Sequence, residues 1–190
     1  MNKVTTVLEL ESIPVENGVD VILALLYIGG KRKAINEEIE GNTRLEKLIF
    51  LIEQETILKK YLTNFNYEPY NFGPYSSEVF DAIEALINAG LVNSSRSSSV
   101  EYLDEVDRYQ IEYQSGDDGE NSKNTIIYSL TSEGIKVASA LLNSLTPQER
   151  NEITMIKTRY NSIGLKQLLQ YVYRKYPKYT TESVIKDHIF

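Results

Sequence analysis

Apolar positions along this chain change period several times, and each change marks an element. From Asn17, a side chain suited to an N-cap, the run VDVILALLYI is apolar on every side, which predicts a helix enclosed by others. It stops at Gly29 and Gly30. Thr43 and Glu46 have the spacing of a capping box, and Leu45, Leu48, Ile49 and Ile52 then supply the core stripe of a second helix. Pro69, Gly73 and Pro74 forbid helix through NFNYEPYNFGPY, a loop that Tyr67, Tyr70 and Tyr75 are expected to anchor on the core. A third helix opens at Ser76. At about 100° per residue, Val79, Phe80, Ala82, Ile83, Leu86 and Ile87 share one side, while Ser77, Glu78, Asp81, Glu84 and Asn88 share the other.

The period then shortens. Ala89, Gly90, Leu91 and Val92 read as a glycine C-cap running into a short strand, and NSSRSSS behind it reads as a loop of low complexity. Tyr109, Ile111 and Tyr113 alternate, as do Ile126, Tyr128 and Leu130, and the polar SGDDGENSKN lies between them. This predicts an antiparallel hairpin with cross-strand tyrosine pairing, Tyr102 included. Thr131 caps the helix that follows. Thr146, Pro147 and Glu149 announce another, and Leu165, Leu168, Leu169, Val172, Tyr173 and Tyr176 keep helical period until Pro177, with a last short helix expected from Thr181. The first sixteen residues alternate loosely and break at Pro14.

The order predicts a mainly α fold with a small antiparallel β hairpin (α+β), a winged helix-turn-helix with a C-terminal helical extension. The expected division is an N-terminal extension over 1–16, a winged-helix domain over 17–145 and helices over 146–190. A winged helix ordinarily reads DNA with the helix that here begins at Ser76. That helix carries Glu78, Asp81 and Glu84 and no lysine or arginine.

Charge sharpens this contrast. The net charge is −7, yet residues 147–190 hold eight basic and four acidic side chains, leaving −11 for residues 1–146. Residues 93–125 hold three basic against eight acidic side chains. Phosphate would be repelled by both elements that normally face DNA. The absence of cysteine suits a reducing compartment, and no apolar run approaches the roughly 20 residues that span a bilayer, so the expectation is a cytoplasmic protein with no membrane partner.

Catalytic chemistry finds little footing. The one histidine, His188, stands near the end of the chain, and Gly29-Gly30-Lys31 lacks the preceding spacing of a phosphate loop. No metal-spaced cluster is visible. No catalytic, cofactor-binding or metal-binding residue is therefore assigned, and no enzyme activity is expected.

The phrases RLEKLIFLIEQE, FNYEPYNFGPYSSEVFDAIEALINAGLV, YSLTSEG and YNSIGLKQLLQYVYRKYPKYT, spread over roughly residues 44–180, resemble the Panacea or SocA-like antitoxin domains and related bacterial and archaeal proteins. The most specific parts are Gly73, Pro74, Tyr75 and Ser76, and the late Tyr176 and Pro177. The departure is the long acidic, serine-rich stretch over 93–125. What the resemblance implies is a regulatory, non-catalytic protein that neutralises a toxin or serves as an adaptor. Together with the charges, the expectation is a module that binds a protein partner through Tyr75, Glu78, Asp81, Glu84 and Asn88. The competing expectation is a transcription regulator that presents Lys166, Arg174, Lys175 and Lys178 to DNA as a dimer. Lys157 and Arg159 extend that basic set. The same positive tail is expected to dock either on the acidic body of its own chain or on the acidic wing of a second copy, the latter a route to a homodimer.

Overall fold

The computed structural model describes residues 12–97 and 125–190, and these form a mainly helical structure with two small antiparallel sheets. Helix α1 (Gly18–Tyr27) is capped by the Asn17 side chain and buries every residue from Val21 to Leu26, as its all-round apolar pattern requires. A short strand β1 (Ile39–Glu40) leads into α2 (Asn42–Glu55), whose residues Leu45 to Ile52 are all buried. The expected capping box does not form. Gly41 is the N-cap, without a side-chain hydrogen bond, so Thr43 lies inside the first turn and Glu46 turns into the core instead.

A 3-10 stretch (Ile57–Tyr61) follows, and the segment expected as irregular loop contains a tight hairpin. In it β2 (Glu68–Tyr70) pairs with β3 (Gly73–Tyr75), so that Glu68 faces Tyr75, Pro69 faces Pro74 and Tyr70 faces Gly73. The two prolines sit opposite one another, where neither can donate. Ser76 then stands at the N-cap of α3 (Ser77–Asn88), which buries Val79, Ala82, Ile83 and Leu86 and leaves Asp81, Glu84 and Asn88 exposed. Gly90, with φ of 70°, closes α3. Its N–H donates to Ile87 and that of Leu91 to Leu86, the paired bonds of a left-handed helix terminus.

The serine-rich segment expected as loop is a strand for at least its first half. β4 (Val92–Ser97) pairs residue by residue with β5 (Thr125–Leu130), from Val92 opposite Leu130 to Ser97 opposite Thr125. β1 lies along the other side of β5, giving the order β1-β5-β4. Ladder hydrogen bonds outweigh the weak strand preference of serine here, because β5 supplies a fixed template. Tyr128 consequently lies opposite Ser94, and its hydroxyl donates to Asn42 at 2.7 Å rather than facing another tyrosine. The expected strand at Tyr109, Ile111 and Tyr113, and Tyr102, lie outside the described residues.

Helix α4 (Ser132–Ser144) is capped by Thr131, and α5 (Pro147–Tyr160) by the reciprocal Thr146 and Glu149 bonds. α6 (Leu165–Lys175) ends before Pro177, and α7 (Lys186–Ile189) is the short final helix. α5 and α6 pack on α2, and α5 also on α1, so Ile153, Leu168, Leu169 and Val172 share one apolar core with Leu25 and Leu48. Arg44 adds a polar tie. Its guanidinium donates to the carbonyls of Tyr160 at 3.1 Å and Ile163 at 2.7 Å, fixing the α5–α6 turn on α2.

Candidate functional site

The β2–β3 hairpin and the start of α3 are held by charge buried beneath them. Lys47, 1% exposed, donates to the Glu46 carboxylate at 2.6 Å and to the carbonyl of Pro74 at 2.7 Å. The other oxygen of Glu46 accepts from the Ser76 N–H at 3.0 Å. One ion pair on α2 thus satisfies a backbone acceptor in β3 and a backbone donor at the opening of α3. Burial pushes the Glu46 carboxyl up and the Lys47 ammonium down, each opposed by its partner. Gly73, with φ of 90°, completes the arrangement, since a Cβ there would come within 2.8 Å of the Tyr173 ring.

Above this pair lies an open cleft of about 340 Å³ lined by Asn42, Tyr70, Asn71, Phe72, Tyr75 and Phe80. Three of its rings stand in a row. Tyr70 and Tyr75 have centroids 4.8 Å apart, and Tyr75 stacks on Phe80 at 5.7 Å with 24° between planes. The hairpin makes the first pair, because Tyr70 and Tyr75 lie diagonally on adjacent strands; the entry of α3 makes the second. Only Tyr67 anchors the loop as expected, edge-on to Phe50 at 5.0 Å. Tyr70 does not, being 47% exposed.

Acidic groups lie near the row. Glu68 lies across the hairpin from Tyr75, Asp81 follows on the outer face of α3, and Glu84 stands one turn beyond Phe80. The Tyr75 hydroxyl is raised above its usual range by burial first and then by the field of Glu46, Tyr70, Asp81 and Glu68. Glu78 differs from its neighbours. Asn66 donates to its carboxylate at 2.9 Å and the Ser76 hydroxyl at 2.7 Å, which holds its pKa down at about 2 and assigns it to bracing the loop. The residues expected to bind a partner therefore divide: Asp81, Glu84 and Asn88 form the open acidic face, Tyr75 borders the cleft, and Glu78 is occupied internally.

The basic set divides as well. Lys157 is fully buried, and its ammonium donates to the carbonyls of Leu25 at 2.9 Å and Leu26 at 3.1 Å, closing the C-terminal end of α1. Burial, opposed by the nearby Glu37, brings its pKa down to about 7. A surface role for Lys157 is thereby corrected. Lys175 pairs with Glu55 at 3.0 Å, and that carboxylate also accepts from Tyr171 and Tyr176. Arg174 leans the other way, over Phe190 at 5.3 Å, and Lys178 lies over Tyr179 at 4.6 Å. Lys166, near the opening of α6, is partly buried. Arg159 sits over Tyr160 and Tyr171 at 5.3 and 5.6 Å. His188 is exposed.

Sequence reasoning misses the Glu46–Lys47 pair and Lys157, because a charged residue on an amphipathic helix reads as surface. A signal for the pair exists in LEKLIFLI, where apolar residues occupy too wide an arc to leave Glu46 and Lys47 a solvent face. Among the described residues no group of three or more acidic, histidine or cysteine side chains is placed to hold a metal ion, and no helix is long and apolar enough to cross a membrane. Comparison with protein-family models, with curated proteins and with solved structures finds no match to this chain.

Proposed function

We propose that this chain is a non-catalytic regulatory module of winged-helix type that binds a protein partner through the exposed face of α3, in the manner the resemblance to Panacea or SocA-like antitoxin domains implies. The winged-helix reading is supported by the succession α1, β1, α2, α3, β4, β5, with β1 and β4 flanking β5. The hairpin inserted between α2 and α3 is an addition to that succession. The observation that carries the protein-binding reading is the composition of the open face: Asp81, Glu84 and Asn88 point to solvent with no lysine or arginine on the helix. A phosphate backbone meets repulsion there, whereas a basic protein surface gains both attraction and faster encounter. The DNA reading is weakened by the internal contacts that hold Arg174 over Phe190, Lys175 against Glu55 and Lys178 over Tyr179.

The test is affinity capture from the native cell with wild-type protein and the Asp81→Lys/Glu84→Lys variant, compared by quantitative mass spectrometry. Glu78 is left intact because its reversal would undo the Asn66 and Ser76 bonds. A protein retained by the wild type and lost from the variant is the expected result. Equal retention by both removes α3 as the binding face.

A further inference from the structure

We propose that the row Tyr70, Tyr75 and Phe80 is a subsite for a cationic side chain, arginine in preference to lysine, carried by a basic segment of the protein partner. This rests on the protein-binding reading above and specifies the chemistry of the partner. An aromatic face attracts a cation through its quadrupole, and most strongly where carboxylates add to the field without closing the face. Both conditions hold here. The three rings run continuously at 4.8 and 5.7 Å, the fields of Asp81 and Glu68 reach Tyr75, and Glu84 lies one helical turn after Phe80.

The rest of the molecule supplies the contrast. Tyr61, Tyr160, Tyr171, Tyr176, Tyr179 and Phe190 each carry a lysine or arginine of this chain over the ring, at 4.6 to 5.7 Å. Among the described residues, no cation of this chain lies over Tyr70, Tyr75 or Phe80. Among the described residues, the surface row Tyr70, Tyr75 and Phe80 thus lies near acidic groups and carries no cation of this chain over its rings. Nor does core packing account for the row, because Tyr70 is 47% exposed and meets Tyr75 at the surface. The cleft of about 340 Å³ gives a side chain depth to enter, and its floor, the Glu46–Lys47 pair, is internally neutralised. Arginine is preferred because a planar guanidinium stacks on a ring while its edge donates to carboxylates, which a compact ammonium cannot do together.

The probe is acetyl-(Arg-Gly)4-amide, titrated into the whole chain while aromatic and amide resonances are followed by NMR, beside the lysine and citrulline counterparts. Saturable shifts of the Tyr70, Tyr75 and Phe80 rings are expected, strongest with arginine, weaker with lysine and lost with citrulline. Tyr70→Leu should weaken the arginine peptide about two- to fivefold, the range for an exposed cation–ring contact, and Tyr70→Phe should restore it. The exposure of Tyr70 keeps both variants folded, which their melting curves would verify. Absence of saturable binding, equal affinity in Tyr70→Leu, shifts confined to Asp81, Glu84 and Asn88, or citrulline binding as tightly as arginine would each overturn the subsite. Those results leave the α3 reading intact if Asp81→Lys/Glu84→Lys still loses the captured protein. Loss of that distinction instead removes α3, whatever the peptide does.

Discussion

Among the described residues, Lys47 and Lys157 are the two largest charged side chains taken out of water, Lys47 to satisfy a carbonyl of β3 and Lys157 to satisfy the open carbonyls at the end of α1. Removing one member of a buried pair strands the other, which costs about 3–5 kcal/mol. Lys47→Met should therefore lower unfolding free energy by roughly that amount, and Glu46→Gln/Lys47→Met should recover part of it, because the amide oxygen still accepts from Ser76 and no charge is left unpaired. Chemical denaturation of the single and double variants checks this. Lys157 predicts a pH dependence. Its folded pKa, about 7, lies below the ordinary lysine value of 10.5, so between these values the unfolded chain holds more protons and stability rises with pH. Lys157→Met should reduce that slope by up to about 1.4 kcal/mol per pH unit, the limit for one proton. An unchanged slope would show that Lys157 titrates normally. Residue type predicts exposure for both lysines; for Lys47 the wide apolar arc of LEKLIFLI argues otherwise, whereas only the three-dimensional end of α1 explains Lys157.

At the scale of elements, local chemistry in the sequence succeeded where it was self-contained. Thr146, Pro147 and Glu149 specify their helix start completely, and the structure forms both reciprocal bonds. Thr146→Ala should cost about 1 kcal/mol in thermal or chemical denaturation. The similar-looking Thr43 and Glu46 failed as a cap because Gly41 opens the helix earlier and Glu46 has a stronger partner in Lys47. A signature of two residues carries no knowledge of what approaches it from β3. The β2–β3 hairpin was hidden for a related reason: its prolines and glycine read as breakers, while its pairing depends on register across two residues of turn. Gly73→Ala should be distinctly harmful, by about 1–3 kcal/mol or more, since it adds strain at positive φ to a Cβ placed 2.8 Å from Tyr173. β4 was hidden because serine announces a loop, and only pairing with β5 makes it a strand.

Across the whole molecule, charge asymmetry visible in the sequence becomes a division of surfaces with altered membership. The helical order, the apolar face of α3 and the exposure of Asp81, Glu84 and Asn88 could all be read from periodicity. What periodicity could not give was that Glu78 braces the loop, that Lys157 closes α1, or that Tyr70 joins Tyr75 and Phe80 beside the acidic groups. Those facts come from contacts between distant segments. Glu78 and the Tyr70–Tyr75–Phe80 row lie where α3 and the β2–β3 hairpin meet. The most direct measurement places a photo-crosslinking amino acid at position 84 in one variant and at position 178 in another, irradiates both in the native cell, and identifies the adducts. A discrete protein adduct is expected from position 84 and none from position 178. Nucleic-acid adducts from position 178, with no protein adduct at 84, would contradict the protein-binding reading of α3.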